Sequence, residues 1–171
     1  ATATEKVKDD IVNLLCLDRP RVHNTGFDRA NLHFSVVKGA DKADFVIDYL
    51  HRHQGRSGIV YAATRKEVDR LYDVLQRKGI QAGKYHAGLS DAERSGAQEA
   101  FSYDNLRVMV ATNAFGMGID KSNVRFVIHL NMPKNMESYY QEAGRAGRDG
   151  DPAQCILLYS ASDIQIQKFL I

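Results

Sequence analysis

The run from Gln141 to Gly150, QEAGRAGRDG, brings a glutamine and two arginines together at spacings suited to gripping phosphate. If the run is helical, Gln141, Arg145 and Arg148 fall within roughly 60° of one another at about 100° per residue, forming one polar stripe. Gly144 and Gly147 lie in the same run. Each costs a helix interior about 1 kcal/mol relative to alanine, so their presence points to close approach by another group. A guanidinium keeps its charge and forks onto phosphate oxygens, which suits the terminal phosphates of a nucleotide. The plainer alternative is a basic helix end, with arginines favouring the C-terminal dipole and Gly150 as the stop.

A chain that hydrolysed a nucleotide unaided would need a phosphate cradle, such as the G-x-x-x-x-G-K-[ST] loop whose amides and lysine wrap the phosphates. The sequence has none. Gly79-Ile80-Gln81-Ala82-Gly83-Lys84-Tyr85 is a decoy, one residue short between its glycines and ending in a tyrosine that cannot serve Mg2+ as a Ser or Thr hydroxyl does. The carboxylate that would hold Mg2+ is missing too, because the apolar run Val124 to Ile128 leads into His129-Leu130-Asn131. Phosphate-gripping arginines without the rest of a nucleotide site suggest half of a composite site, with the arginines supplied across an interface.

These residues need a scaffold. A chain of 171 residues with 44% hydrophobic content is long enough for one domain with a real core. Net charge is +2, from 23 Lys and Arg against 21 Asp and Glu, so the bulk balance neither demands nor excludes a nucleic-acid partner and any basic surface is local. Cys16 and Cys155 make neither a disulfide framework nor a C-x-x-C metal pair, and both are expected as core thiols in a reducing compartment. No apolar run approaches the ~18 residues of a membrane span, and the polar start, Ala1 to Asp10, is no signal peptide. A soluble intracellular protein is expected. The lack of an initiating Met fits an excised piece of a longer chain.

Helical spacing of Val7, Ile11, Leu14 and Leu15 predicts a helix from Thr4 to Leu17, stopped by Asp18-Arg19-Pro20. Strand-like and helix-like segments then alternate. Strands are predicted at Leu32–Val37, Gly58–Ala63, Ala82–His86, Arg107–Thr112, Val124–Leu130 and Gln154–Tyr159. Helices are predicted at Asp41–Gln54, at Arg65–Lys78 with Gly79 as its stop, and from the capping box Ser90-Asp91-Ala92-Glu93 to about Ser102. Such alternation predicts an α/β fold, a parallel sheet with helices on both faces and ligands at the carboxyl ends of its strands. Thr64-Arg65, Thr112 to Asp120 and Asn131 to Asn135 each follow a predicted strand, as that rule requires.

Five stretches carry a resemblance to a known family: FDRANL at Phe27–Leu32, SGIVYAATR at Ser57–Arg65, YHAGL at Tyr85–Leu89, VATNAFGMGIDKSNVR at Val110–Arg125, and ESYYQEAGRAGRDG at Glu137–Gly150. In this order and spacing the chain resembles the second RecA-like motor lobe of RecQ-type DNA helicases of superfamily 2. The resemblance implies that residues 1–20 are the tail of lobe 1 with the interlobe connector, and that residues 21–171 are lobe 2. Ala30 departs from the family, which usually has proline there, and is expected to loosen that turn without touching chemistry.

The resemblance also implies roles. Gln141, Arg145 and Arg148 would reach ATP bound on lobe 1, with Arg148 as the arginine finger, and Asp120 would meet the ribose or couple the two sites. Thr112, with Gly116 and Gly118 permitting close approach, would hold the DNA backbone. Thr64, Arg65, His86, Gly88, Lys134 and Asn135 would contact single-strand phosphates, and Phe115 is the exposed aromatic expected near a base. Composition alone leaves other readings open: Thr112 as a turn cap, His86 as a core histidine, Tyr139-Tyr140 as partly core, and Lys66, Arg70 and Arg77 as solvated helix faces. ATP and Mg2+ would be held mainly by lobe 1. The implied partners are single-stranded DNA, DNA junctions and lobe 1 of the same polypeptide, with the isolated chain monomeric and no membrane involved. The location would be cytoplasm or nucleoid in a bacterium and nucleus in a eukaryote. Two rivals remain: a stand-alone nucleic-acid-binding module, and the equivalent lobe of a DEAD-box RNA helicase. The stretches FGMGIDK and YYQEAGRAGRDG favour the RecQ type over the latter.

Overall fold

Strands buried on both faces read as continuous apolar runs rather than alternating ones, and three segments of this chain are buried at every residue: β2 (Gly58–Tyr61), β4 (Val108–Ala111) and β5 (Phe126–His129). They form the middle of one sheet in a computed structural model that describes residues 29–116, 119 and 121–160. The predicted helix at residues 4–17, Cys16, the proposed boundary at residue 20, Gly118 and Asp120 lie outside the described residues. With β1 (Leu32–Lys38), β3 (Ala82–Tyr85) and β6 (Ala153–Tyr159), the strands take the order β1-β6-β5-β2-β4-β3. Every neighbouring pair is parallel.

Helices start where local caps start them. Asp41 opens α1 (Lys42–Arg52) by accepting from Asp44 N at 3.0 Å, and Thr64 opens α2 (Arg65–Arg77) by accepting from Glu67 N at 3.2 Å. The predicted capping box opens α3 (Asp91–Ser102) with both of its bonds in place, Glu93 N to Ser90 Oγ at 3.1 Å and Ser90 N to Glu93 Oε2 at 2.9 Å. Asn135 opens α4 (Met136–Ala143), its side chain accepting from Ser138 N at 2.7 Å.

Alternate strand residues feed two cores. Val60, Val110, Ile128 and Leu158 pack with Val46 and Leu50 of α1 and with Val68, Leu71 and Leu75 of α2. Tyr61, Met109, Val127 and Leu157 pack with Phe101 of α3 and with Met136, Tyr139 and Ala143 of α4. Two helices thus cover each face, as the alternation required. Cys155 is a free thiol in the second core, and burial pushes its pKa up to about 12. The decoy glycine run separates into a helix stop, Gly79 with φ of 73°, and strand β3.

The arginine run departs from its predicted form. Helix α4 ends at Ala143 with Gly144 as its cap, so Gln141 is helical while Arg145 and Arg148 sit in the turns that follow. The shared helical stripe is therefore not formed. Arg145 N and Ala146 N reach carbonyls three residues back, at 3.3 and 3.1 Å, which tightens the chain. Gly147 then takes φ of 59° and turns its N–H to Val124 O at 2.8 Å. Its close approach is to the chain itself, because a Cβ there would lie 2.5 Å from Asn31 Nδ2.

Candidate functional site

Parallel strands deliver their carboxyl ends to one rim of the sheet, and here four of those ends are level: Tyr61, Tyr85, Ala111 and His129 are register partners across β3, β4, β2 and β5. The loops beyond them carry most of the expected site residues. Neighbouring strands lie about 4.8 Å apart, so four adjacent loops span roughly 15 Å.

After β2, Thr64 and Arg65 are exposed at the start of α2, with the Thr64 hydroxyl engaged as its cap. After β3, His86 is buried, with Nε2 2.9 Å from Asp69 Oδ1 and Nδ1 accepting from Gly88 N at 3.0 Å. That acceptance leaves the ring proton on Nε2, facing Asp69. The His86 hydrogen bond holds the Asp69 carboxyl below its ordinary range, and Lys84 Nζ adds a second bond at 3.1 Å. His86 is therefore the core histidine of the alternative reading, with both nitrogens engaged in shaping its loop. A Cβ on Gly88 would lie 3.0 Å from the His86 ring and 3.4 Å from Arg65 Nη1, so the glycine keeps this corner open.

After β4, Thr112 is buried, and its hydroxyl accepts from Ala114 N at 3.4 Å, the turn cap that composition allowed. Phe115 corrects the expectation of an exposed aromatic: it is 1% exposed, its ring 5.0 Å from Tyr85 and 6.0 Å from Phe101. Its size and apolarity send it into the core next to the loop. Tyr139 is likewise core and Tyr140 half-buried against Phe34. After β5, Lys134 and Asn135 are exposed, Asn135 serving as the cap of α4.

The connection from β4 to β5 is laced to the arginine run. Arg145 Nη1 donates to Gly116 O, and Arg148 Nη1 to Ile119 O at 3.0 Å. Farther along, Asp149 N donates to Ser122 O at 3.1 Å, and Arg125 pairs with Asp149. Gly116, with φ of 152°, has no room for a side chain because a Cβ would overlap the Arg145 guanidinium. The glycine thus admits an arginine.

Beneath the arginines lies a buried polar cluster. Glu142 Oε2 stands 3.5 Å from His129 Nε2, and neither of these atoms nor Arg145 Nε has a hydrogen-bond partner. Tyr61 stacks on His129 at 5.2 Å and donates to Phe115 O at 3.1 Å. Burial raises the Tyr61 pKa, an effect Arg145 opposes. Arg148 and Gln141 are exposed. A guanidinium held to a backbone carbonyl and exposed, as that of Arg148 is, with the half-buried Arg145 beside it, suits a multiply charged anion such as a nucleotide phosphate.

The family model of the helicase conserved C-terminal domain matches residues 41–150. The chain belongs to that family. This helicase C-terminal domain is of RecQ type: it is 56% identical over 171 residues to the ATP-dependent DNA helicase RecQ of Bacillus subtilis (strain 168), covering 100% of this chain and 29% of that protein. It is 44% identical over 168 residues to the RecQ-like DNA helicase BLM of Xenopus laevis, covering 96% of this chain and 12% of that protein. The chain thus spans less than a third of the relatives it matches. The solved C-terminal domain of the DEAD-box protein Dbp5 superposes with a TM-score of 0.65 at 25% identity, over 82% of this chain and 84% of that one. The fold is RecA-like, and identity runs far higher to the RecQ proteins than to the DEAD-box domain.

Sequence reasoning gave no role to three residues that build this site. Arg29 and Asn31 hold the backbone of the arginine run. Lys121, 3% exposed, pairs with Asp104 and lies 5.1 Å over the Phe101 ring, fastening the β4–β5 connection to the end of α3. Their partners are distant in sequence, so although all three fall in stretches that carry the family resemblance, FDRANL and FGMGIDK, nothing local marked what each would hold.

Proposed function

We propose that this domain is the second motor lobe of an ATP-dependent 3′-to-5′ DNA helicase, one half of a nucleotide site completed by lobe 1 of the same polypeptide. Residues 1–20 would close lobe 1 and connect the lobes. The observation that carries the reading is the lacing of Arg145 and Arg148 to the β4–β5 connection. The phosphate-gripping run and a strand-end loop are thereby one mechanical unit. ATP with Mg2+, held mainly by lobe 1, supplies a good leaving group and a metal-neutralised phosphate chain. Arg148 acts as the finger that meets charge developing on the phosphates, while Arg145 and Gln141 complete the grip and Asp120 would meet the ribose or couple the two sites.

Single-stranded DNA lies on the rim. Arg65 and Lys134 neutralise phosphates, and Thr64, Gly88, Thr112, Gly116 and Asn135 offer hydroxyls, amides and close approach. His86 shapes the loop that carries Gly88, and Phe115 backs the loop that carries Gly116. Closing the lobes around ATP tightens the arginine run and, through its bonds to Gly116 and Ile119, moves the DNA loop. The helicase would act inside the cell on single strands and junctions.

Purified alone, the chain is expected to fold, to turn over no ATP with or without DNA, and to bind single strands weakly. Its log affinity should fall with log salt at a slope of about −0.7 per released counterion. DNA-stimulated turnover in a preparation free of other helicases would overturn the half-site reading. Nanomolar, salt-insensitive DNA binding would favour the stand-alone module.

A further inference from the structure

Each of the two arginines follows a residue whose carbonyl is held from the approach to β1. Arg29 Nη1 donates to Gly144 O at 3.1 Å and Nη2 to Ala146 O at 2.6 Å, so one guanidinium bridges the carbonyls on either side of Arg145. Asn31 Nδ2 donates to Gly147 O at 2.7 Å, immediately before Arg148, and to Asp151 O at 3.0 Å. The first of these acceptors is the C-cap of α4, where the helix dipole favours a cation, and the others lie in the turns beyond it. The clamp is itself anchored: Leu32 N donates to Arg29 O at 3.0 Å, and Ala153 N to Asn31 O at 3.0 Å, tying the turn to β1 and β6. Gly147 must lack a Cβ for Asn31 to reach in.

We propose that Arg29 and Asn31 are positioning residues that set the backbone from which Arg145 and Arg148 extend toward nucleotide. The proposal rests on the composite-site reading above. Neither residue would touch the nucleotide. Arg29 works because its planar fork spans two carbonyls at once, whereas a lysine ammonium is a single point on a flexible stem. Arg29→Lys should therefore restore only part of the function that Arg29→Gln removes.

The first test needs no nucleotide. Hydrogen exchange of the Arg29→Gln chain should speed up about tenfold or more at the amides of Gly147 and Asp149, with the amides of β2 and β4 unchanged. No change, or an equal acceleration everywhere, would overturn the proposal. The second test uses the full-length protein with both lobes at saturating DNA. Arg29→Gln should lower kcat on the order of 10²-fold with little change in KM for ATP, and should add nothing in an Arg145→Ala background. Multiplying losses in the double variant, or an unchanged kcat in the single one, would overturn the positioning role. If Arg148→Ala itself kept full kcat, the composite-site reading would fail instead, while the exchange result would still report the clamp.

Discussion

At Gly116 a side chain would occupy the space taken by the Arg145 guanidinium, and at Gly147 it would block Asn31, so the close approach at these glycines is by the chain's own side chains, where DNA and phosphate were expected. What single residues could not reveal was the approaching group. Phe115 and His86 show why: an aromatic or an imidazole in a loop motif is buried or exposed according to neighbours such as Phe101 and Asp69, which are distant in sequence. Lys121 and Asp104 give this scale its test. Asp104 has φ of 61°, which asparagine tolerates, so Asp104→Asn keeps the turn and leaves the Lys121 charge without its partner. The Lys121 hydrogen bond depresses the folded-state pKa of Asp104. The stability it contributes is therefore present above the unfolded value of about 3.9 and lost as pH falls through the folded value. Urea midpoints should be lower for Asp104→Asn at pH 7 and converge with wild type in strong acid. Equal midpoints at pH 7 would show that the pair contributes nothing.

The start of α3 was legible because a capping box is a local device, with Ser90 next to the amide it fills, whereas Thr64 and Asn135, which cap α2 and α4, were read only as phosphate contacts. Ser90→Ala should cost about 1 kcal/mol, measured as a lowered urea midpoint with unchanged slope, and a neutral substitution would mean that α3 does not depend on its box. The end of α4 was not legible, because it is set at a distance. Val124 O takes the Gly147 amide, and Arg29 fills carbonyls more than a hundred positions along the chain, so the helical period of Gln141, Arg145 and Arg148 was overridden by tertiary bonds. The stripe was the wrong geometry for the right residues to share a neighbourhood, since both arginines still converge on one connection.

Across the whole molecule, the parallel sheet and its two helical faces followed from the alternation of apolar runs, because each strand buried on both sides leaves a run of its own. The strand order did not follow from it. That order puts β5, β2, β4 and β3 side by side, and so gathers the loops carrying Lys134, Arg65, Thr112 and Gly88 along one rim beside the arginine run. Among the described residues no helix is long and apolar enough to cross a membrane. If the arginines serve nucleotide and the rim serves DNA, one substitution should separate the two. In the full-length protein, Arg148→Ala should lower the ATPase kcat at saturating DNA by about 10³ to 10⁵ while single-strand affinity stays nearly unchanged. Lost DNA affinity with full turnover at saturating DNA would contradict the account, placing the arginine run against nucleic acid instead.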